Sequence, residues 1–108
     1  MNLALQNYQW AQALISVLVT CGCQHFFIAP GSRSAPLSMA ALRMAGNDRA
    51  IECYTHFDER SLAFAALGAA KATGQTAVVI TSSGSAVANL LPAVVEAFQT
   101  DYSLVLMT

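Results

Sequence analysis

Hydrophobic residues recur along this chain in two alternating rhythms. Between Asn7 and Cys21, the residues Trp10, Ala13, Leu14, Val17 and Leu18 return at the spacing of an α-helix, and Gly22 supplies a stop. His25-Phe26-Phe27-Ile28-Ala29 follows as an unbroken apolar run. A run without polar alternation fits a parallel strand covered on both faces. The rhythms then repeat. Pro36 to Met44 reads as a helix, with Ser34 as its cap and Pro36 tolerated in the first turn. Residues 51–55 have strand character, Ser61 to about Thr73 reads as a helix ending near Gly74, and Thr76 to Thr81 is apolar and β-branched. Ala86 to Phe98 reads as one more helix, with Asn89 in its first turn and Pro92 near enough to the start to fit. Residues 103–108 form the last strand, and all four strands read as central.

A helix followed by alternating strands and helices predicts an α/β fold, with parallel strands joined by right-handed crossovers in a three-layer arrangement. In such a sheet the carboxyl ends of the strands share one edge, where open α/β folds place their ligands. Three of these ends carry polar groups: Pro30-Gly31-Ser32-Arg33-Ser34, His56-Phe57-Asp58-Glu59-Arg60 and Ser82-Ser83-Gly84-Ser85. Arg33, Glu59 and the loop from Ser82 to Gly84 are therefore expected to face one crevice.

Composition sharpens the picture around Glu59. The chain is 56% hydrophobic and 10% charged, yet Asp58, Glu59 and Arg60 stand together beside His56. One reading is helix-start chemistry, with Asp58 as cap and Glu59 at the positive end of the dipole. The other is a partly desolvated carboxylate suited to proton transfer. Arg33 likewise reads as a solvated loop residue or as a planar fork for a carboxylate or phosphate. A net charge of -1 with no basic stripe argues against nucleic acid. Cys21, Cys23 and Cys53 lack metal-site spacing and read as reduced thiols of a cytosolic protein. The amino terminus has no basic region of the signal-peptide kind, and no apolar run is long enough to span a bilayer. The Ser82–Ser85 loop is neither GxGxxG nor a Walker loop, so it is a weak phosphate signal. So apolar a chain, closing on strand-like residues, reads as part of a larger protein or as a subunit with a large apolar interface.

Ala29-Pro30-Gly31-Ser32-Arg33-Ser34, Thr55-His56-Phe57-Asp58-Glu59-Arg60 and Thr81-Ser82-Ser83-Gly84-Ser85-Ala86-Val87-Ala88-Asn89-Leu90 carry a resemblance. In order, and over essentially the whole chain, they resemble the opening motifs of the MenD family, thiamine-diphosphate-dependent synthases of menaquinone biosynthesis. Ser85 stands where the resemblance leads one to expect threonine. The resemblance implies that residues 1–108 are the N-terminal portion of a pyrimidine-binding domain. It implies a transferase that decarboxylates 2-oxoglutarate and adds the resulting succinyl-semialdehyde unit to isochorismate. Glu59 becomes the catalytic residue, hydrogen-bonding N1′ of the cofactor's aminopyrimidine and promoting proton loss from C2 of the thiazolium. Ser32 and Arg33 become substrate-binding, and Pro30, Thr81, Ser82, Gly84 and Asn89 join Glu59 as cofactor-binding. The cofactor's Mg2+ or Mn2+ belongs to another domain, so no metal ligand is expected here. A cytoplasmic homo-oligomer, dimer or tetramer, with the site between subunits, is implied as well. This portion by itself is expected to be inactive and to self-associate. Another thiamine-diphosphate decarboxylase or synthase, or a non-catalytic α/β binding module, are the competing readings.

Overall fold

Residues 2–108 are described by a computed structural model. The elements follow in the order α1 (Leu3–Thr20), β1 (His25–Ile28), α2 (Ala35–Asn47), β2 (Glu52–Thr55), α3 (Glu59–Thr73), β3 (Ala77–Ile80), α4 (Ser85–Ala88), α5 (Leu91–Thr100) and β4 (Leu104–Met107). The strands form one sheet in the order β2-β1-β3-β4, and every neighbouring pair is parallel. The expected α/β class and parallel sheet are both present.

Side-chain alternation along β1 and β3 divides the core into two layers. Phe26, Ile28, Val78 and Ile80 pack on one face with Ala11 and Ile15 of α1 and Ala40 and Ala41 of α2. Phe27, Ala29, Ala77 and Val79 pack on the other face with Leu62, Ala63, Ala66 and Ala70 of α3 and Ala93 of α5. Alanines on the helix faces let backbone approach sheet closely, and the β-branched residues of the strands fill the space between.

β1 and β3 are central, as their unbroken apolar runs require, and Ala77 to Ile80 are all buried. β2 and β4 are edges among the described residues, which corrects the expectation that all four strands are central. β2 shows why: only Cys53 in it is even half-buried. The helical rhythm of α1 is real, but Ala11 and Ile15 are the buried residues. Trp10, Leu14 and Val17 of the apolar stripe are exposed. The helix also begins earlier than expected, because the Asn2 side chain accepts from the amides of Ala4 and Leu5.

The segment read as one helix from Ala86 to Phe98 is two. α4 ends at Ala88 with Asn89 as its C-terminal cap, and α5 begins with Leu91 and Pro92 in its first two positions. Within a continuous helix the Pro92 ring would clash with the carbonyl of Ala88. A fresh start at Leu91 removes the clash, and Leu90 at the break is 1% exposed and anchors it in the core. α3 runs as expected, capped by Asp58 and ended by Gly74 in the left-handed region at φ 72. All three cysteines are free thiols, and burial pushes those of Cys23 and Cys53 above the ordinary range. No helix among the described residues is long and apolar enough to cross a membrane.

Candidate functional site

Three loops leave the carboxyl edge of the sheet after β1, β2 and β3. Backbone bonds continue the ladder into each loop. Ala29 N donates to Ile80 O at 2.9 Å, His56 N to Ile28 O at 3.2 Å, and Thr81 N to Met107 O at 3.0 Å. The loops are thus tied to the sheet at their roots, and two contacts between loops join them further out.

The first contact joins the loops after β1 and β3. Gly31 lies against Ser82, where a Cβ on Gly31 would come within 2.8 Å of Ser82 Cβ. Only glycine fits at that distance. Arg33 Nη1 donates to Ser83 Oγ at 2.5 Å across the same seam. Ser34 is buried but does not cap α2 as expected; its Oγ donates to Gly31 O at 3.2 Å and closes the loop on itself. Thr81, fully buried, turns its hydroxyl to Ser82 O at 3.0 Å. Both hydroxyls therefore serve loop shape. Gly84 takes φ 75 where the chain turns into α4, a value that L side chains rarely adopt.

The second contact joins the start of α3 to the end of α4. Asp58 accepts from the Ser61 amide at 3.0 Å and the Ser61 hydroxyl at 2.5 Å. Those bonds hold the Asp58 carboxyl below its ordinary range, the Ser61 hydroxyl contributing most. Asp58 N in turn donates to His56 Nδ1 at 3.0 Å. Glu59 is the first residue of α3 and half-buried, and Asn89 Nδ2 donates to its Oε1 at 3.3 Å. Oε2 of Glu59 has no hydrogen-bond partner among the described residues. The two chemistries open at this acidic pair thus separate: Asp58 takes the cap, and Glu59 keeps a carboxylate oxygen to spare.

Arg33 and Glu59 lie on the same edge of the sheet, and no hydrogen bond or ion pair joins them. Pro30 and Ser32 are exposed in the loop that carries Arg33. Pro30 and Gly31, with Ile28, Ala35, Met39 and Thr55, border an apolar cavity of about 220 Å³ at the ends of β1 and β2. A larger hollow of about 310 Å³ lies along α1, beside Trp10, and has no titratable lining. The edge also exposes Phe57, 88% accessible, two residues before Glu59. Sequence reasoning passed over Ser83 individually. Its signal was faint, one more small residue in a small-residue loop, because its partner lies 50 positions away.

Residues 9–108 match the family described as thiamine pyrophosphate enzyme, N-terminal TPP binding domain. Three similar curated proteins are each named 2-succinyl-5-enolpyruvyl-6-hydroxy-3-cyclohexene-1-carboxylate synthase. That of Haemophilus ducreyi is 49% identical over 102 residues, covering 94% of this chain and 18% of the relative. Those of Histophilus somni strain 2336 and Haemophilus influenzae strain PittEE are 48% and 47% identical over 108 residues, each match covering 100% of this chain and 19% of the relative. The chain therefore spans about a fifth of the length of these relatives. The parallel sheet and the match over residues 9–108 agree, and the chain belongs to the thiamine pyrophosphate enzyme N-terminal TPP binding domain family.

Proposed function

We propose that this chain is the N-terminal portion of the pyrimidine-binding domain of a 2-succinyl-5-enolpyruvyl-6-hydroxy-3-cyclohexene-1-carboxylate synthase, a transferase of menaquinone biosynthesis. The longer protein would release carbon dioxide from 2-oxoglutarate and transfer the remaining succinyl-semialdehyde unit to isochorismate. One observation carries the reading. Glu59, relieved of capping by Asp58 and held at Oε1 by Asn89, offers a free carboxylate oxygen on the edge that also carries Arg33.

The residues present fit the pyrimidine half of thiamine diphosphate. Glu59 Oε2 is available to a ring nitrogen, and exposed Phe57 and the apolar cavity beside Pro30 and Gly31 offer the surface that a ring needs. Thiamine diphosphate, when bound, supplies the nucleophilic carbon through which a 2-oxo acid loses carbon dioxide. Glu59 serves as the proton partner of the aminopyrimidine at Oε2, while Asn89 fixes the carboxyl plane from Oε1. Pro30, Thr81, Ser82 and Gly84 shape the surrounding wall, with Thr81 acting through its bond to Ser82 O. Arg33 offers a planar fork to a substrate carboxylate, and Ser32 a hydroxyl in the same loop. The residues that hold Mg2+ or Mn2+ against the diphosphate belong to other parts of the protein. A second subunit completes the site in a cytoplasmic homodimer or homotetramer, covering Phe57.

The test is turnover by the full-length protein with isochorismate and a choice of 2-oxo acids. Product formation from 2-oxoglutarate and none from pyruvate is the expected result. A preference for pyruvate or another monocarboxylate would assign a different thiamine-diphosphate enzyme. Failure to bind the cofactor at all would leave a non-catalytic module.

A further inference from the structure

We propose that Ser83 is the positioning residue for Arg33, setting the guanidinium fork that receives a substrate carboxylate. The inference deepens the proposed function and rests on its reading of Arg33 as the carboxylate-binding residue.

An exposed loop arginine is a poor anchor when nothing holds it. Its long side chain carries much rotamer entropy, and that entropy is lost at the moment of binding. Arg33 is exposed, and Ser83 Oγ is its hydrogen-bond partner among the described residues, at 2.5 Å. The bond is useful because its acceptor stands on a fixed base. Ser83 follows Ser82, whose carbonyl is taken by the Thr81 hydroxyl and whose Cβ abuts Gly31. Thr81 is fully buried and continues the ladder of β3 toward β4. On the other side, Ser34 Oγ ties back to Gly31 O, so the loop carrying Arg33 is closed from within. The Arg33–Ser83 bond therefore spans two stiff loops that already touch at Gly31 and Ser82.

The stoichiometry of donors leaves the fork usable. A guanidinium has five N–H groups, and Ser83 takes one from Nη1. The remainder suffice for a bidentate carboxylate. The Ser83 hydroxyl, accepting from Arg33, keeps its own O–H to donate, so the pair presents donors to a ligand and no negative charge. That polarity suits an anion. It also separates the two halves of the site: Arg33 is set from the loop after β3, and Glu59 is set from Asn89 beyond α4.

A double-substitution cycle in the full-length enzyme tests this, using Ser83→Ala, Arg33→Ala, the pair together, and Ser83→Thr. For Ser83→Ala the KM for the substrate whose carboxylate Arg33 receives, 2-oxoglutarate or isochorismate, should rise about five- to ten-fold, the net worth of one ordinary hydrogen bond. kcat should stay within about two-fold, and thiamine diphosphate affinity should hold, because the residue acts on substrate capture. Ser83→Thr keeps the hydroxyl and should restore KM. In the Arg33→Ala background, Ser83→Ala should add nothing. A raised KM in Arg33→Ala with an unchanged KM in Ser83→Ala would overturn the positioning role and leave the reading of Arg33 intact. Additive effects in the pair would also overturn it. An unchanged KM in Arg33→Ala would remove the carboxylate-binding reading itself, and this inference with it.

Discussion

Asp58 and Glu59 are adjacent acids with different surroundings. Asp58 lies before α3, where its side chain accepts two bonds from Ser61, while Glu59 lies in the first turn, where it meets Asn89. The Ser61 bonds favour the charged form of Asp58 and hold its carboxyl below the ordinary value of 3.8. A folded value below the unfolded one gives a contribution fully present above the ordinary value and lost as pH falls through the folded one. Asp58→Asn should therefore flatten the acid limb of stability, read as thermal midpoint from about pH 5 to about pH 2. Identical acid limbs in the two proteins would show that the cap carries no charge-dependent part. At this scale sequence is a good guide to local partners. Asp58 stands three positions before the helix-like run that opens at Ser61, so its role is legible. The partners of Gly31 and Arg33 are not, because Ser82 and Ser83 lie some fifty positions along and only the folded sheet brings them near.

Among the elements, those whose environment is simplest were the most legible. β1 and β3 read as buried strands because both of their faces are covered, and every residue of β3 is buried. Sheet order is set by how crossovers pack, so the edge position of β2 was hidden in its sequence. The break between α4 and α5 was hidden for another reason: apolar spacing continues across it, and only Pro92 marks the fault. Leu90, buried at that break, sits in the same core layer as Leu62 and Ala63 of α3. Leu90→Ala should cost about 2–5 kcal/mol, the usual range for a buried leucine. It should also lower activity by loosening Asn89 from Glu59. Urea denaturation of the full-length enzyme measures the first effect, and a loss below about 1 kcal/mol would mean that the break is held elsewhere.

For the molecule as a whole, what stands out is apolar surface left open on several sides. Trp10 and Val17 on α1 are 71% and 59% exposed, and Leu91 and Phe98 on α5 are 61% and 80% exposed. β4 adds an unpaired backbone edge among the described residues. A polypeptide of residues 1–108 expressed by itself should therefore self-associate, with a mass by light scattering that rises with concentration. A monodisperse monomer would show that these surfaces do not drive association. The high apolar fraction foretold this openness, though α1 turns a different face inward from the one its largest residues mark. In the proposed function Glu59 is the proton partner of a cofactor assembled at the carboxyl edge of the sheet. Deuterium exchange at C2 of thiamine diphosphate bound to the full-length protein tests that role, comparing wild type with Glu59→Gln. Glutamine keeps the volume and the oxygen that Asn89 meets but lacks the exchangeable carboxyl proton. Exchange should slow by about 10²–10⁴-fold, the usual worth of positioned proton transfer, while cofactor affinity changes little. Equal exchange rates in the two proteins would contradict the claim and leave Glu59 as a residue of the helix start alone.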